Sequence, residues 1–160
     1  MSNGAPCPEN NFLWEHVRHL LWSYEHFTGQ PLVAGDRSYE ADIAKRVFEA
    51  SFALVSHGTQ TDPIFNYANQ TAMELFEMSW FEFTALPSKC SAEPVSREER
   101  AKLLEQVTRD NYIDDYSGIR ISKNGKRFCI EQATVWNVID KDSRDYLGQA
   151  AVFSRWKEVI

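Results

Sequence analysis

From Tyr112 to Arg155 the apolar residues recur with a period of two, and the run turns back on itself at Asn124-Gly125. Ile119 and Ile121 lead into Lys123, Asn124, Gly125 and Lys126. Asn-Gly is the favoured centre of a two-residue hairpin turn because both positions tolerate positive φ. The return strand is long. Phe128, Ile130, Gln132, Thr134, Trp136 and Val138 fall on one face, and Cys129, Glu131, Ala133, Val135, Asn137 and Ile139 on the other. Neither face is polar throughout, so both are expected to be covered. A polar loop, 140–145, leads to a last strand running from Tyr146 to Arg155 and closing with Trp156.

The preceding residues supply the cover. Residues 1–10, with Gly4, Pro6 and Pro8 among small and polar side chains, read as a flexible tail. Leu13, Val17, Leu20, Leu21 and Tyr24 then recur at helical spacing until Gly29 and Pro31. A polar link through Gly35 and Asp36 precedes a second helix whose Ile43, Ala44, Val47 and Phe48 share a face, so residues 11–50 form an amino-terminal helical segment. Residues 51–160 form the core of a single domain. Phe52 to Val55 and Ile64 to Tyr67 read as two short strands around His57-Gly58, and Asn69 as the N-cap of a helix bearing Met73, Leu75 and Phe76. Ser79 with Glu82, and Ser96 with Glu99, have capping-box spacing; the first opens a short helix stopped by Pro87, the second a longer one burying Leu103, Leu104 and Val107.

Composition narrows the function classes. The 160 residues carry 17 Lys and Arg against 23 Asp and Glu, a net charge of -6, so no excess of positive charge exists to neutralise phosphates, and nucleic-acid binding is not expected. No apolar run reaches the length of a membrane span and no secretory leader opens the chain, which makes the cytoplasm the default compartment. Cys7, Cys90 and Cys129 are odd in number and far apart, and read as free thiols. His16 and His19 lie one helical turn apart, but no carboxylate or cysteine completes a metal site, so none is expected.

Two helices, two strands, a helical cluster and three antiparallel strands define an α+β domain. The stretches Pro63-Ile-Phe-Asn-Tyr-Ala-Asn69, Leu86-Pro87, Ser91-Ala-Glu-Pro94, Glu99-Arg100, Tyr116-Ser-Gly-Ile-Arg-Ile-Ser122, Val135-Trp136-Asn137 and Gly148-Gln-Ala-Ala151 carry a more specific signal. Together they resemble the PAS fold and, more closely, the MEKHLA family, PAS-related domains found alone in bacterial and algal proteins and at the carboxyl end of plant class III homeodomain leucine-zipper factors. The resemblance covers nearly the whole chain and is nearest the stand-alone type. It implies a five-stranded antiparallel sheet in the order 2-1-5-4-3, helices over one face enclosing a pocket, and amino-terminal helices flanking the sheet. On this alignment Tyr67, Glu131, Ala133, Val135, Asn137 and Ala150 are the candidate ligand-binding residues. An enclosed Glu131 is satisfied by Arg or backbone donors, or else awaits a ligand.

No catalytic pattern stands out. G-x-S-x-G, G-x-G-x-x-G and H-E-x-x-H are all absent, and the adjacent Asp114 and Asp115 point to opposite faces of a strand, so they cannot share a proton. One of them is expected to be solvated and the other to cap or pair with Arg120. A flavin photosensor of the PAS class carries an Asn-Cys-Arg-Phe-Leu-Gln run where this chain has Ser88-Lys-Cys-Ser-Ala92, and the flavin-facing glutamine falls on Ala150. A haem ligand would have to be His57, which reads as a turn histidine held by backbone hydrogen bonds. No cofactor is assigned. The expected function is a sensory or regulatory module that binds a small ligand in its pocket, mediates protein association, or does both, with a homodimer or protein partner engaging the first helix and the Trp136 face of the sheet. The alternatives are a small enzyme using Glu131 as a base, and a flavin- or haem-bound sensor. A chain of this length has no room for a kinase or DNA-reading domain beside this one, so any signal is expected to pass through association.

Overall fold

The computed structural model describes residues 4–35 and 39–160, without the side chains of Pro94 and Val95. The expected tail at residues 1–3 and the expected link at Asp36 lie outside the described residues. Residues 4–10 do not extend away as a tail. Pro6 is buried, the Cys7 N–H donates to Asn10 Oδ1 at 3.0 Å, and Asn10 Nδ2 donates to the Ala5 carbonyl at 3.0 Å, which anchors the start of a 3-10 segment, Pro8–Leu13.

Helix α1, Trp14–Thr28, ends at Gly29, whose φ of 75° brings its N–H onto the Glu25 carbonyl. Helix α2, Glu40–Phe48, buries Ile43, Ala44, Val47 and Phe48 on one face. Strands β1, Ala53–His57, and β2, Phe65–Ala68, pair antiparallel. Helix α3, Gln70–Phe76, begins at Asn69, which has no solvent exposure. The Asn69 side chain accepts from the N–H groups of Ala72 and Leu54 and donates to the carbonyls of Val47 and Phe52, so one amide caps α3 and ties it to β1 and α2.

Helix α4, Trp80–Phe83, opens with the Ser79–Glu82 capping box as expected. The Ser96–Glu99 box does not form. Helix α5, Pro94–Asp110, starts earlier because Pro94 takes the first helical turn, where its missing N–H costs nothing. Strands β3, Tyr112–Ile121, and β4, Arg127–Ile139, come next. Their turn differs from the expected two-residue form: the Gly125 N–H bonds to the Ser122 carbonyl at 3.0 Å, and Gly125 rather than Asn124 takes positive φ, at 88°. This is a type I turn with glycine in its fourth place.

Strand β5, Tyr146–Phe153, completes the path β2-β1-β5-β4-β3, the expected order. The expected last strand is interrupted at Ser154. Beyond it β6, Arg155–Glu158, pairs with Phe128 to Glu131 of β4, while β5 pairs with Thr134 to Ile139 of the same strand. The sheet therefore has six strands, with β5 and β6 sharing one edge of β4.

Two apolar layers sandwich this sheet. On the outer side, Val17 and Leu20 of α1 and Ala44 and Val47 of α2 pack with Leu54, Trp136, Val138 and Val152. The Trp136 Nε1–H reaches the Leu20 carbonyl at 3.3 Å. On the inner side, Phe76 and Phe83 from α3 and α4 pack with Phe65, Phe128, Ile130 and Phe153. The chain's own α1 thus covers the Trp136 face.

A polar contact also pins α1. His16 Nε2 lies 2.9 Å from Ser56 Oγ, whose hydroxyl donates to Asn66 Oδ1, so Nε2–H is the donor to Ser56. Burial, with a smaller contribution from His19, lowers the His16 pKa to about 4. The folded state thus prefers neutral His16, while the unfolded chain takes up a proton near pH 6.5. Its contribution to stability is complete above about pH 6.5 and is lost as pH falls toward 4, a change of up to about 3 kcal/mol. Urea midpoints recorded across that range are expected to fall with pH, and His16→Gln is expected to flatten the slope. An unchanged slope in the variant contradicts the assignment.

Candidate functional site

β4 does not keep a strict alternation. Gln132 adopts φ 53°, and β4 sets Glu131 and Gln132 against the single Ser117 of β3 between the pairs Gly118–Ile130 and Tyr116–Ala133. That is a bulge. It exchanges the faces: Ile130, Ala133 and Val135 all look inward, whereas Glu131, Gln132 and Thr134 border an outer groove. A second positive φ, 58° at Asp115, places two residues of β3 opposite one of β4, and Asp114 and Asp115 are both exposed. Neither aspartate pairs with Arg120, contrary to expectation; its guanidinium donates to the Ile119 carbonyl and to Tyr116 Oη.

A partly open cavity of about 60 Å³ lies between the inner sheet face and α5. Val55, Phe65, Phe76, Leu103, Ile130 and Phe153 give it apolar walls, and His57, Ser91, Arg100, Tyr116, Arg120 and Gln149 bring polar groups. Of the six residues expected to bind a ligand, Ala133, Val135 and Ala150 border this cavity. Ala150 does so from within the sheet, for it pairs with Trp136 and packs in the outer cluster.

The other three are placed elsewhere. Asn137 points inward beneath the cavity, donating to the Val107 carbonyl at 3.0 Å and accepting from Gln149 Nε2 at 3.1 Å, a network that clamps the end of α5 to the sheet. Tyr67 is buried in the outer layer, stacked on His16 with ring centroids 5.8 Å apart and meeting the Trp80 ring edge-on at 5.9 Å. Its hydroxyl has no partner, and burial raises its pKa. Glu131 stands outside, 3.5 Å from Lys157 Nζ. A small enzyme with Glu131 as an enclosed base is thereby overturned, and the cause is the bulge at Gln132. Among the described residues no group of three or more His, Cys, Asp and Glu side chains is placed to hold a metal ion.

His57 ends β1 with its Nδ1–H donated to the Gly58 carbonyl at 3.1 Å, as expected of a histidine held by backbone. That fixes the tautomer and leaves Nε2 as a buried acceptor without a partner. Burial lowers its pKa, and the Arg100 charge acts in the same direction. Arg100 donates to Ser88 Oγ, and its own pKa falls to about 10 through burial first and repulsion from Arg120 second.

Neither flavin nor haem fits this cavity. Its volume is well below the roughly 300–1,000 Å³ of sites that hold drug-sized ligands, and Cys90 is absent from its walls. The register turns Gln149 toward the cavity, paired with His57 on one side and Asn137 on the other. This corrects the expectation that the glutamine position falls on Ala150, so it is the volume and Cys90 that speak against flavin.

Arg100, Arg120, His57, Ser91, Tyr116 and Gln149 are the polar wall residues that sequence reasoning missed. For Arg100 a signal existed. Arg100, Leu103, Leu104 and Val107 stand at helical spacing, so the guanidinium lies on the buried stripe of α5. Arg120 gives no such sign, because it alternates with Ile119 and Ile121 and a period of two sends it to the solvent side, whereas the strand buries Arg120 and leaves both isoleucines half-buried.

The five-strand path, the helices over its inner face and the cavity beneath them define a PAS-like fold. The structure is similar to the PAS domain of a protein from Colwellia psychrerythraea, with TM-score 0.61 and 15% identity, covering 74% of this chain and 94% of that one. It is also similar to the light-state dimer of the fungal blue-light photoreceptor Vivid, with TM-score 0.55 and 16% identity over 82% of this chain and 89% of that one. The chain belongs to the MEKHLA domain family, which it matches over residues 14–158. Its relatives include the homeobox-leucine zipper protein ATHB-14 of Arabidopsis thaliana, 25% identical over 146 residues, covering 89% of this chain and 17% of that protein. Another is HOX32 of Oryza sativa subsp. japonica, 21% identical over 157 residues, covering 98% of this chain and 18% of that protein. The chain thus spans less than a fifth of the length of these plant relatives. No helix among the described residues is long and apolar enough to cross a membrane.

Proposed function

We propose that this chain is a sensory or regulatory module in which a small molecule occupies the cavity under α5 and the sheet relays its presence to α1. The observation that carries this reading is the partly open hollow itself, apolar over most of its wall with a few convergent polar groups, the usual make-up of a small-molecule site. β4 lies between the two layers: Val135 faces the cavity while its neighbour Trp136 packs under α1. A shift of this strand on ligand entry would therefore bias the packing of α1.

Protein association belongs to the same proposal, in changed form. The bare Trp136 face is not free for a partner, because α1 covers it, so a homodimer or other protein contact would use the outer side of α1. The proposed compartment is the cytoplasm.

Freshly purified protein is expected to show no visible absorption band. Its native mass is expected to exceed its denatured mass by a compound much smaller than flavin or haem. A flavin or haem spectrum contradicts the reading, as does a cavity that takes up no small molecule under any condition.

A further inference from the structure

We infer that the cavity is an anion site, and that its occupant is a small amphipathic carboxylate held by Arg100 and Arg120 with its apolar body against Phe65, Phe76 and Phe153. This inference rests on the reading of the cavity as a ligand site and names the chemistry of the ligand.

Arg100 is 9% exposed and Arg120 is 8% exposed, and both line the same cavity. Their hydrogen-bond acceptors are neutral: Ser88 Oγ for Arg100, and the Ile119 carbonyl and Tyr116 hydroxyl for Arg120. Among the described residues neither guanidinium forms an ion pair with a carboxylate. Asp62 is held by Lys89 at 3.1 Å, Glu93 by Arg127, and Asp114 and Asp115 are exposed. Asp62 attracts Arg100, and the Tyr116 ring centroid lies 5.7 Å from the Arg120 guanidinium carbon. Burial and the repulsion between the two cations outweigh the Asp62 attraction at Arg100. Two buried cations lining one cavity without a carboxylate in direct contact are therefore costly.

An anion between them removes both penalties, and the guanidinium fork matches a carboxylate or phosphate with paired N–H donors. His57 Nε2, 7% exposed as a residue and without a partner, stands in the same wall and becomes a further donor once protonated beside a negative charge. The aromatic and aliphatic remainder of the wall has nothing to offer a fully polar anion, which favours an organic carboxylate over inorganic phosphate. A cavity of about 60 Å³ limits the body to a short chain such as that of butyrate.

The test is calorimetric titration of the full chain with butyrate, butan-1-ol and inorganic phosphate, repeated on Arg120→Met and Arg100→Gln. Butyrate is expected to bind, with affinity falling roughly tenfold or more in each variant and for the alcohol. The unliganded variants are expected to melt no lower than the parent, because each loses an uncompensated buried charge. Variants that melt well below the parent give the arginines a structural role and overturn the inference. Butan-1-ol binding as tightly as butyrate overturns the anion inference while leaving the receptor reading intact. Phosphate binding as tightly as butyrate overturns the choice of carboxylate. Failure of all three probes to bind the parent chain overturns the inference, and the receptor reading is then decided by the comparison of native and denatured mass.

Discussion

Replacing Gly148 with alanine is expected to destabilise the protein by about 3 kcal/mol or more, at the upper end of single-substitution effects. Gly148 holds φ at 135°, a conformation that L side chains rarely adopt. A Cβ built there would lie 1.9 Å from the His57 carbonyl oxygen and 3.0 Å from its carbon. Both are backbone atoms in the β1–β5 pairing, so no side-chain rotation relieves the overlap; the strands must separate. Gly29 supplies the control. Its φ is also positive, at 75°, but nothing lies within 4 Å of its added Cβ, so Gly29→Ala is expected to cost only about 1 kcal/mol. Urea unfolding of the two variants checks the ordering. Equal losses would mean that β1 and β5 do not approach as described. Because His57 moves with the strand end, Gly148→Ala is also expected to distort the cavity wall.

Trp136→Ala is the second large effect. Its side chain has no exposure, meets Tyr24 edge-on with ring centroids 4.9 Å apart, and bonds to the Leu20 carbonyl through Nε1. Removing it opens a void between α1 and the sheet at a cost of about 3–5 kcal/mol. Trp136→Phe keeps most of the buried ring and loses the hydrogen bond, for about 1 kcal/mol beyond the volume change. Hydrogen exchange locates the damage: amides of α1 are expected to lose protection before those of β4. A truncation that leaves α1 protection untouched would show that this helix does not dock on its own sheet, and would revive the partner-covered face that the sequence left open.

The strands were legible because the signal is redundant. Turn residues and periodicity agree on the strands, while their order is what the resemblance to the PAS fold implies, carried in part by Tyr67, Asn69 and Gly148. Asn69 was readable as a cap for the same reason: a short polar side chain just ahead of an apolar helical stripe has few other uses. What stayed hidden depends on the bulges. Asp115 and Gln132 take positive φ without being glycine, so no residue type announces the change of face. Counting by twos past Gln132 sends Glu131 into the cavity and Ile130 out of it, the reverse of the fold. The break at Ser154 is equally silent, since β6 continues the run of β5 while pairing with a different part of β4. Arg100 is hidden for another reason: a charge on a helical stripe usually reaches out to water, yet here its position among Leu103, Leu104 and Val107 is the trace of the site.

The most direct measurement of the carboxylate-receptor account is methyl NMR of the full chain during titration with butyrate. Saturable shifts are expected first at Val55, Leu103, Ile130 and Val135, which face the cavity, with smaller ones at Val17, Leu20 and Val138 beneath α1, as the relay through β4 requires. Shifts confined to surface methyls, or no saturable shift at any cavity methyl, would contradict it.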